Sequence, residues 1–407
     1  MANQSPSIRL VIENASWQAT MTKSKRKICV VVTARPSYSR VKTALKAIQD
    51  HPDLELQLVV AASALLDRYG SVVRQIESDG FTIAGKVFMV LEGENPTSMA
   101  KTTGMGLMEL STTFFNLNPD VVVTIADRYE TIATTIAGAY MNIPVAHIQG
   151  GEVTGSIDEK VRHANTKLAD IHLVASEQAN KRLIQLGENP EMIFNTGCPS
   201  IDLASEIKQS PDLDFDPVTK YSGVGNNPDT SSGYVVVMQH PVTTEYKSSR
   251  DNVAVTLNAA HRLDMPVYWF WPNVDAGADG TSAKIRQFRE QMDTSQFHFF
   301  KNMAPHDFLR LLINSRCLVG NSSVGIRECA FLGVPVVNIG SRQSGRQRGR
   351  NVIDVDYQED QILDAIKKQI GQPHYESDPI YGNGLAGQKI ADVLATCKLT
   401  IEKKLTY

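Results

Sequence analysis

Short, continuous apolar runs alternate with helical stretches along this chain, and this alternation constrains its fold more than any other feature. In the first half the apolar runs are 28–33, 54–61, 86–90, 121–125, 144–148 and 171–175. Such runs, without the in–out alternation of half-exposed strands, are typical of strands buried on both faces of a parallel sheet. Stretches between them, such as 41–48 and 131–139, have helical periodicity. We therefore predict an α/β fold with a doubly wound sheet.

The pattern is interrupted at residues 209–233, which are rich in Pro, Gly, Ser, Asn and Asp, as linkers and surface loops are. A second series follows at 234–238, 267–270, 297–300, 317–319, 334–339 and 352–355. Two Rossmann-like halves favour a GT-B-like arrangement, with the ligand in the cleft between the carboxyl ends of both sheets. The predicted parts are an N-terminal extension (1–26), an N-terminal domain (27–205), a C-terminal domain (206–385) and a helix (386–404) that packs back on the first domain.

Composition excludes several classes of protein. The 407 residues suffice for two domains, and 41 Lys and Arg against 44 Asp and Glu do not favour nucleic acid or an anionic membrane. No apolar run approaches the roughly 20 residues of a membrane span, and residues 1–26 lack a signal-peptide pattern. The five cysteines have no CxxC spacing. We expect reduced thiols, a cytoplasmic location and no metal ribbon.

Polar residues follow the strands of the first half, where ligands of parallel sheets bind. Arg35 and Ser39 follow the first run, as a diphosphate clamp or as an ordinary helix start with a surface arginine. Asp127 and Arg128 follow the run 121–125. They could orient sugar hydroxyls and move protons, or form a helix cap and a salt bridge.

The segment 147–158 contains three glycines within six residues, which allow the backbone to approach a ligand closely. Its polar members are His147, Gln149, Glu152 and Asp158, and Arg162 and His163 follow one turn later. A helix N-cap with an i,i+4 ion pair is the structural alternative, but this concentration of polar groups favours a site. Neither His163 nor His172 has the paired spacing of a zinc helix, so no metal is expected.

In the second half His240 stands at a predicted strand end, and residues 320–328 read Gly-Asn-Ser-Ser-Val-Gly-Ile-Arg-Glu. Ser322 and Ser323 precede a predicted helix whose N-terminus could take phosphate oxygens, and Glu328 could accept both ribose hydroxyls. Four arginines then fall between residues 342 and 350. A solvated or RNA-binding loop is the alternative, but this cluster suits an anionic nucleotide better.

Together these motifs resemble the hydrolysing UDP-N-acetylglucosamine 2-epimerases of sialic-acid-type pathways, over roughly residues 27–400. The resemblance lies in the stretches 148–158, 162–169, 239–244, 271–277, 320–323 and 340–346. It implies a GT-B fold, UDP in the interdomain cleft, no cofactor, and a homodimer or homotetramer. The nucleotide-binding positions it implies are Arg35, Ser39, Arg128, His240, Asn273, Ser322, Ser323, Glu328 and Arg342. The catalytic positions it implies are Asp127, Asp158, Gln149, Glu152, Arg162 and His240.

In such enzymes a base removes the C2 proton while UDP leaves C1, and water then adds to the 2-acetamidoglycal to release the 2-epimeric sugar. The chain departs from the family pattern at Ile125, Ser37 and Gln149. The last departure bears on the chemistry, because an amide cannot accept the C2 proton where the family has glutamate. Asp127, Asp158 or Glu152 would then move the protons, or the substrate differs from the usual one.

Two other functions remain open at this point. One is a different UDP-sugar enzyme on the same scaffold: a hydrolase without inversion, a non-hydrolysing epimerase or a glycosyltransferase. The other is a nucleotide-sugar-binding protein without catalysis.

Overall fold

A computed structural model describes residues 24–66, 72–92, 96–153, 157–272 and 277–406. The first sheet contains β1 (Arg26–Val32), β2 (Leu54–Ala61), β3 (Ile83–Val87), β4 (Val121–Ile125), β5 (Val145–Ile148), β6 (Ile171–Val174) and β7 (Ile193–Asn195). Its strand order is β3-β2-β1-β4-β5-β6-β7, and every pairing is parallel.

The second sheet contains β8 (Val224–Gly225), β9 (Val235–Met238), β10 (Val267–Phe270), β11 (Phe297–Phe300), β12 (Cys317–Gly320), β13 (Val336–Ile339) and β14 (Val352–Val355). Its order is β14-β13-β12-β9-β10-β11-β8, and only the β8–β11 pairing is antiparallel among those the structure describes. We call the elements of these two sheets the first half and the second half. The predicted doubly wound α/β architecture, of the GT-B type, is confirmed.

The helices lie between these strands. They are α1 (Arg35–Asp50), α2 (Val72–Ser78), α3 (Pro96–Leu117), α4 (Thr131–Tyr140), α5 (Ile157–Leu168), α6 (Glu177–Gln185), α7 (Pro199–Gln209), α8 (Pro217–Tyr221), α9 (Ser249–His261), α10 (Ala278–Gln291), α11 (Pro305–Ile313), α12 (Ser323–Ile326), α13 (Glu328–Leu332), α14 (Glu359–Ile370) and α15 (Ala386–Thr396). None of them, within the described residues, has the length and apolarity needed to cross a membrane.

The continuous apolar runs are explained by burial on both sheet faces. Along β1, Val30 packs into a core that includes Val41 of α1, whereas its neighbour Val31 packs into a second core with Phe114 of α3. Successive side chains of a strand point to opposite faces, so a strand covered on both sides needs apolar residues at every position.

Both sheets reverse their strand order once, and these reversals locate the ligand crevices. In the first sheet the reversal lies between β1 and β4, whose carboxyl ends lead to Arg35 and Asp127. In the second sheet it lies between β9 and β12, which lead to His240 and Ser322. The topology therefore brings four of the predicted site residues to switch points.

The edges of the sheets differ from the sequence-based prediction. β3 was expected at 86–90 but spans Ile83–Val87, because this edge strand alternates half-buried and exposed residues before the buried Val87 instead of forming a continuous apolar run. The edge strands β7 and β8 were not predicted, since three and two residues are too short to form a pattern. The expected linker at 209–233 contains α8 and β8.

The C-terminal helix is shorter than expected. α15 ends at Thr396 rather than continuing to residue 404, and residues 397–406 are not helical. Lys403 explains the change: its Nζ lies 2.5 Å from a carboxylate oxygen of the buried Glu188, a contact that draws the tail across the first half. α15 itself packs on α1, where Ile390 and Leu394 join the core of the first sheet.

Candidate functional site

The carboxyl ends of β4 and β5 are joined by a buried histidine. His147 Nε2 lies 2.8 Å from the carbonyl oxygen of Ala126, and its Nδ1 lies 3.3 Å from the Thr166 hydroxyl. Burial is the main cause that lowers the pKa of His147 to about 4, so the ring is neutral at pH 7. Ala126 has a φ of 59°, in the left-handed region that costs free energy for an L-residue. The His147 contact helps to hold this turn, which presents Asp127.

Asp127 is paired with Arg162 of α5. An Asp127 carboxylate oxygen accepts a hydrogen bond from Arg162 Nη2, and Nη1 of the same guanidinium donates to the Gln149 carbonyl at 3.2 Å. Both side chains are buried, with 9% and 2% of their surface exposed. A buried carboxylate needs such a partner to stay ionised, so this arrangement supplies an anionic group at the crevice of the first sheet.

Gln149 is turned toward a cysteine. Its Nε2 donates to Cys198 Sγ at 2.8 Å, and that sulfur lies 3.0 Å from the Ser200 hydroxyl. Gln149 is 1% exposed, and its Oε1 has no hydrogen-bond partner among the described residues. The amide is therefore oriented by the residue that directly precedes α7, and its oxygen is left without a hydrogen-bond donor among the described residues.

Glu152 lies among arginines from both halves. Its Oε2 is 3.3 Å from Arg327 Nη1, 3.7 Å from Arg162 Nη1 and 3.9 Å from Arg346 Nη1. Arg346 Nε also donates to the Val153 carbonyl at 3.0 Å. Arg327 and Arg346 belong to the second half, so this carboxylate connects the two walls of the cleft.

Arg40 of α1 adds a fourth guanidinium to this group. Its Nη2 lies 3.5 Å from Ser323 Oγ, to which Arg327 Nη2 also donates at 2.9 Å. Burial, followed by the positive charges of Arg327 and Arg346, lowers the pKa of Arg40 to about 9. Like charges gathered in this way favour an anionic ligand, because its charge would relieve their repulsion.

The switch point of the second sheet is built on a close backbone contact. Gly320 has a φ of 135°, and a Cβ there would lie 2.1 Å from the Met238 carbonyl oxygen, so only glycine fits. The next residue, Asn321, accepts from the His240 backbone N–H at 2.7 Å and donates to the His240 carbonyl at 2.8 Å. These bonds hold the turns after β9 and β12 together.

Arg342 completes this part of the site. Its Nη1 donates to the Asn321 carbonyl at 3.1 Å. Burial, followed by the positive charges of Arg342 and Arg35, lowers the pKa of His240 well below its usual value. His240 is therefore a neutral ring beside two cations, suited to hydrogen bonding.

The Gly-Asn-Ser-Ser segment differs from expectation. Ser322 caps α12 through its Oγ, which accepts from Val324 N at 3.4 Å, but α12 has only four residues before a kink at Arg327. So short a helix sums few peptide dipoles, and the predicted phosphate binding by its N-terminus is weakened. The arginines supply positive charge in its place. Glu328 is buried, and its Oε2 has no hydrogen-bond partner among the described residues.

The remaining predicted residues have different surroundings. Asp158 lies half-buried in the first turn of α5, near enough to influence Arg346 electrostatically. Ser39 Oγ donates to the Arg35 carbonyl of its own helix, and Arg128 Nε donates to Glu130 at 2.7 Å. Both contacts fit the alternative interpretation of the sequence, in which Ser39 belongs to an ordinary helix start and Arg128 forms a salt bridge. Asn273 lies outside the described residues.

Of the four arginines in the loop at 340–350, two belong to the cleft. Arg342 and Arg346 make the contacts given above, whereas Arg348 pairs with Asp354 and Arg350 is exposed. His163 is also exposed and pairs with Glu159 on the surface of α5.

Sequence reasoning missed three residues of the cleft as site residues: Arg40, Cys198 and Arg327. Arg327 was visible, because it directly precedes Glu328 in a quoted motif. Arg40 and Cys198 follow strand ends, but nothing in their sequence neighbourhood shows that they face the second half. In the described part of the chain, no group of three or more His, Cys, Asp or Glu side chains is arranged to hold a metal ion.

Comparison with known proteins places the chain in a family. The family model described as UDP-N-acetylglucosamine 2-epimerase matches residues 46–395. A Legionella pneumophila protein named UDP-N,N'-diacetylbacillosamine 2-epimerase (hydrolyzing) is 34% identical over 92% of this chain and 97% of its own. A Campylobacter jejuni protein named GDP/UDP-N,N'-diacetylbacillosamine 2-epimerase (hydrolyzing) is 29% identical over 85% of this chain and 88% of its own.

The solved structure of a UDP-GlcNAc 2-epimerase from Neisseria meningitidis, bound to UDP-GlcNAc, has the same fold. Its TM-score is 0.75 at 16% identity, and the match covers 90% of this chain and 99% of the other. The chain belongs to the UDP-N-acetylglucosamine 2-epimerase family.

Proposed function

We propose that this protein is a hydrolysing UDP-2-acetamido-sugar 2-epimerase. The observation that carries the proposal is the arrangement of the cleft. On one wall the Asp127–Arg162 pair offers a carboxylate. On the other wall Arg327 and Arg342 lie beside Ser323 and His240, where a diphosphate could be neutralised.

The proposed reaction has two steps, elimination of UDP and addition of water. A carboxylate takes the proton from C2 as the C1–oxygen bond breaks and UDP leaves, which gives a 2-acetamidoglycal. Water then supplies hydroxide to C1 and a proton to C2 from the opposite face, which gives the free 2-epimeric sugar. Because C2–H is weakly acidic, neutralisation of the leaving diphosphate must drive the first step.

The residues divide between these tasks. Asp127 and Asp158 move protons, and Arg162 keeps Asp127 ionised and oriented. UDP is held by Arg342, Ser322, Ser323 and Glu328. Arg35, after β1 of the first half, and His240, after β9 of the second half, lie near them. Gln149, as an amide, hydrogen-bonds the substrate and takes no proton.

The sugar is a 2-acetamido sugar of the UDP-GlcNAc type, and a 2,4-diacetamido relative is favoured by the names of the two related proteins given above. We place the protein in the cytoplasm because its five cysteines are all free thiols. We place it in a pathway to sialic-acid-type sugars because it is also similar to an Escherichia coli protein named Polysialic acid biosynthesis protein P7. We also propose that it works as a homodimer or homotetramer.

Solvent deuterium tests the mechanism. The purified protein is incubated in D₂O, without metal or nicotinamide, with UDP-GlcNAc and with UDP-N,N'-diacetylbacillosamine, and NMR follows the products. Elimination and hydration must place deuterium at C2 of the released 2-epimeric sugar, and we expect this with at least one substrate.

Each competing function gives a different spectrum. Anomeric hydrolysis or glycosyl transfer releases UDP with protium retained at C2. Epimerisation without hydrolysis leaves the sugar on UDP, and a binding protein without catalysis leaves the substrate unchanged. Any of these results with both substrates contradicts the proposal.

A further inference from the structure

Glu152 makes ionic contacts between the two walls of the cleft, and its geometry is unusual for a group that moves protons. It is 5% exposed, and its Oε2 faces the guanidinium groups of Arg162, Arg327 and Arg346 at 3.3 to 3.9 Å. Guanidinium groups thus surround that oxygen on more than one side. To accept the C2 proton of the sugar, Oε2 would first have to lose these contacts.

The arginines around Glu152 have hydrogen-bonding capacity left over. Two of their donors, Arg327 Nε and Arg346 Nη1, are buried and have no hydrogen-bond partner among the described residues. Glu152 Oε1 is also without a hydrogen-bond partner there, but as a carboxylate oxygen it can only accept. Buried polar groups are normally satisfied, and a guanidinium fork matches two oxygens of a phosphate or carboxylate. The cluster is therefore arranged to take a further anionic group.

Arg327 shows where that group would lie. While its Nη1 faces Glu152, its Nη2 donates to Ser323 Oγ at 2.9 Å, and Arg40 Nη2 lies 3.5 Å from the same hydroxyl. Ser323 is one of the proposed diphosphate contacts. A single guanidinium, 2% exposed, thus connects the loop after β5 with the phosphate end of the cleft.

We propose that Glu152 is a positioning residue, which holds Arg327 and Arg346 at the phosphate end of the cleft and takes no part in proton transfer. This inference rests on the proposed function in that UDP is the leaving group. It assigns to Glu152 the orientation of Arg327, one of the residues proposed above to neutralise the diphosphate. It also predicts that Glu152 affects the affinity for UDP by holding Arg327 in place.

A double-mutant cycle tests this coupling. UDP affinity is measured by calorimetry for the wild type, Glu152→Gln, Arg327→Met and the double variant. We expect Glu152→Gln to weaken UDP binding by about five- to tenfold and Arg327→Met by about tenfold or more, since each removes or misplaces a charge-assisted contact. In the Arg327→Met background, Glu152→Gln should cost less than about twofold, because the arginine through which Glu152 acts on UDP is already absent. Glu159→Gln, at an acid near the surface of α5, is the matched control.

Other outcomes overturn the proposal. Equal losses in both backgrounds would mean that Glu152 does not act through Arg327, and tighter UDP binding by Glu152→Gln would mean that it only competes with the ligand. Unchanged UDP affinity with complete loss of deuterium incorporation at C2 would make Glu152 a proton-transfer group. The positioning role requires Glu152→Gln to retain measurable incorporation at saturating substrate.

A ligand-free measurement separates this inference from the proposed function. Hydrogen exchange of the wild type and of Glu152→Gln is compared by mass spectrometry. Loss of the ionic contact should speed exchange in peptides covering residues 343–349 and 151–153, where Arg346 bonds to Val153. Unchanged exchange in both would overturn the positioning role. Failure of the wild type to bind UDP would instead refute the proposed function, and the exchange comparison would still decide the role of Glu152.

Discussion

Asp127 and Asp158 reach the cleft by different routes. Asp127 lies in the turn after β4 and is paired with Arg162, while Asp158 lies half-buried in the first turn of α5, within the electrostatic reach of Arg346. Under the proposed function the pair would serve opposite faces of a sugar ring, as inversion at C2 requires. The departure at Gln149 is compatible with such a division, because two carboxylates remain.

Replacing Asp158 by Asn tests this assignment. We expect Asp158→Asn to lose at least about a hundredfold in kcat, the usual contribution of a general acid or base, and to keep its affinity for UDP. Glu159→Gln, one residue further along α5, should retain wild-type turnover. Steady-state kinetics on a substrate established by the deuterium experiment provide the measurement. If Asp158→Asn keeps most of its rate, the second proton-transfer group lies elsewhere.

Arg342 provides the corresponding test at the nucleotide. Arg342→Ala removes a charge beside His240, and a charge-assisted hydrogen bond contributes about 1.5–3 kcal/mol, so UDP affinity should fall by about tenfold or more. Arg350→Ala changes an exposed arginine of the same loop and should leave affinity within about twofold. Calorimetric titration with UDP compares the two. Equal affinities would place the nucleotide away from this loop.

At the scale of elements, one buried carboxylate holds the beginning of α15, in addition to the apolar packing of this helix on α1. Asp202 of α7 accepts from the backbone N–H groups of Ala386 and Gly387 at 2.7 Å each, and from the Thr43 hydroxyl at 2.9 Å. The Asp202 carboxylate accepts hydrogen bonds from the first backbone N–H groups of α15, as a capping residue would, although Asp202 belongs to another helix. The last helix of the chain is thereby held on α1 and α7.

Removing the Asp202 carboxylate should loosen this packing. In Asp202→Asn an N–H₂ group must face a donor, so we expect the free energy of unfolding to fall by about 1–3 kcal/mol. Glu206→Gln, an exposed change on the same helix, should alter it by less than about 0.5 kcal/mol. Urea unfolding followed by circular dichroism measures both. A loss no greater than that of Glu206→Gln would show that the Asp202 carboxylate is not needed to hold α15.

For the whole molecule, buried neutral histidines should limit stability in acid. Burial is the first cause that lowers the pKa values of His147, His172 and His240, that of His147 to about 4. In the unfolded chain these rings take up protons below about pH 6.5, whereas the folded state excludes them. Stability is therefore complete above about pH 6.5 and falls as the pH decreases toward 4.

The contribution of His147 to this fall is about 3 kcal/mol, from a shift of its pKa between about 6.5 and about 4. We expect the free energy of unfolding, measured with urea between pH 7 and 4.5, to decrease steadily in the wild type. His147→Gln should be less stable at pH 7 and depend less on pH, and His163→Gln, on the surface, should follow the wild type. A flat profile in the wild type would contradict the neutral, buried state of these rings.

Much of this molecule could be predicted from the sequence because the relevant signals are local. Continuous apolar runs such as Val121–Ile125 indicate strands covered on both faces, and residues that directly follow them, such as Asp127 and His240, lie at the ligand edge of any parallel sheet. The short edge strands β7 and β8 could not be predicted, because they contain too few residues to form a pattern.

Only the tertiary structure decided which side chains meet across the cleft. Arg40 comes from α1, Glu152 from the loop after β5 and Arg327 from between α12 and α13, and no sequence spacing relates them. Their contacts depend on how the two sheets face each other, and α7 connects the halves by packing on α1 and α15 as well as on α11 and α13. The tail after Thr396 likewise leaves its helical pattern because Lys403 reaches the buried Glu188. Patterns along a chain determine elements and their carboxyl ends, whereas pairing between distant charges follows from desolvation in a shared interior that exists only after folding.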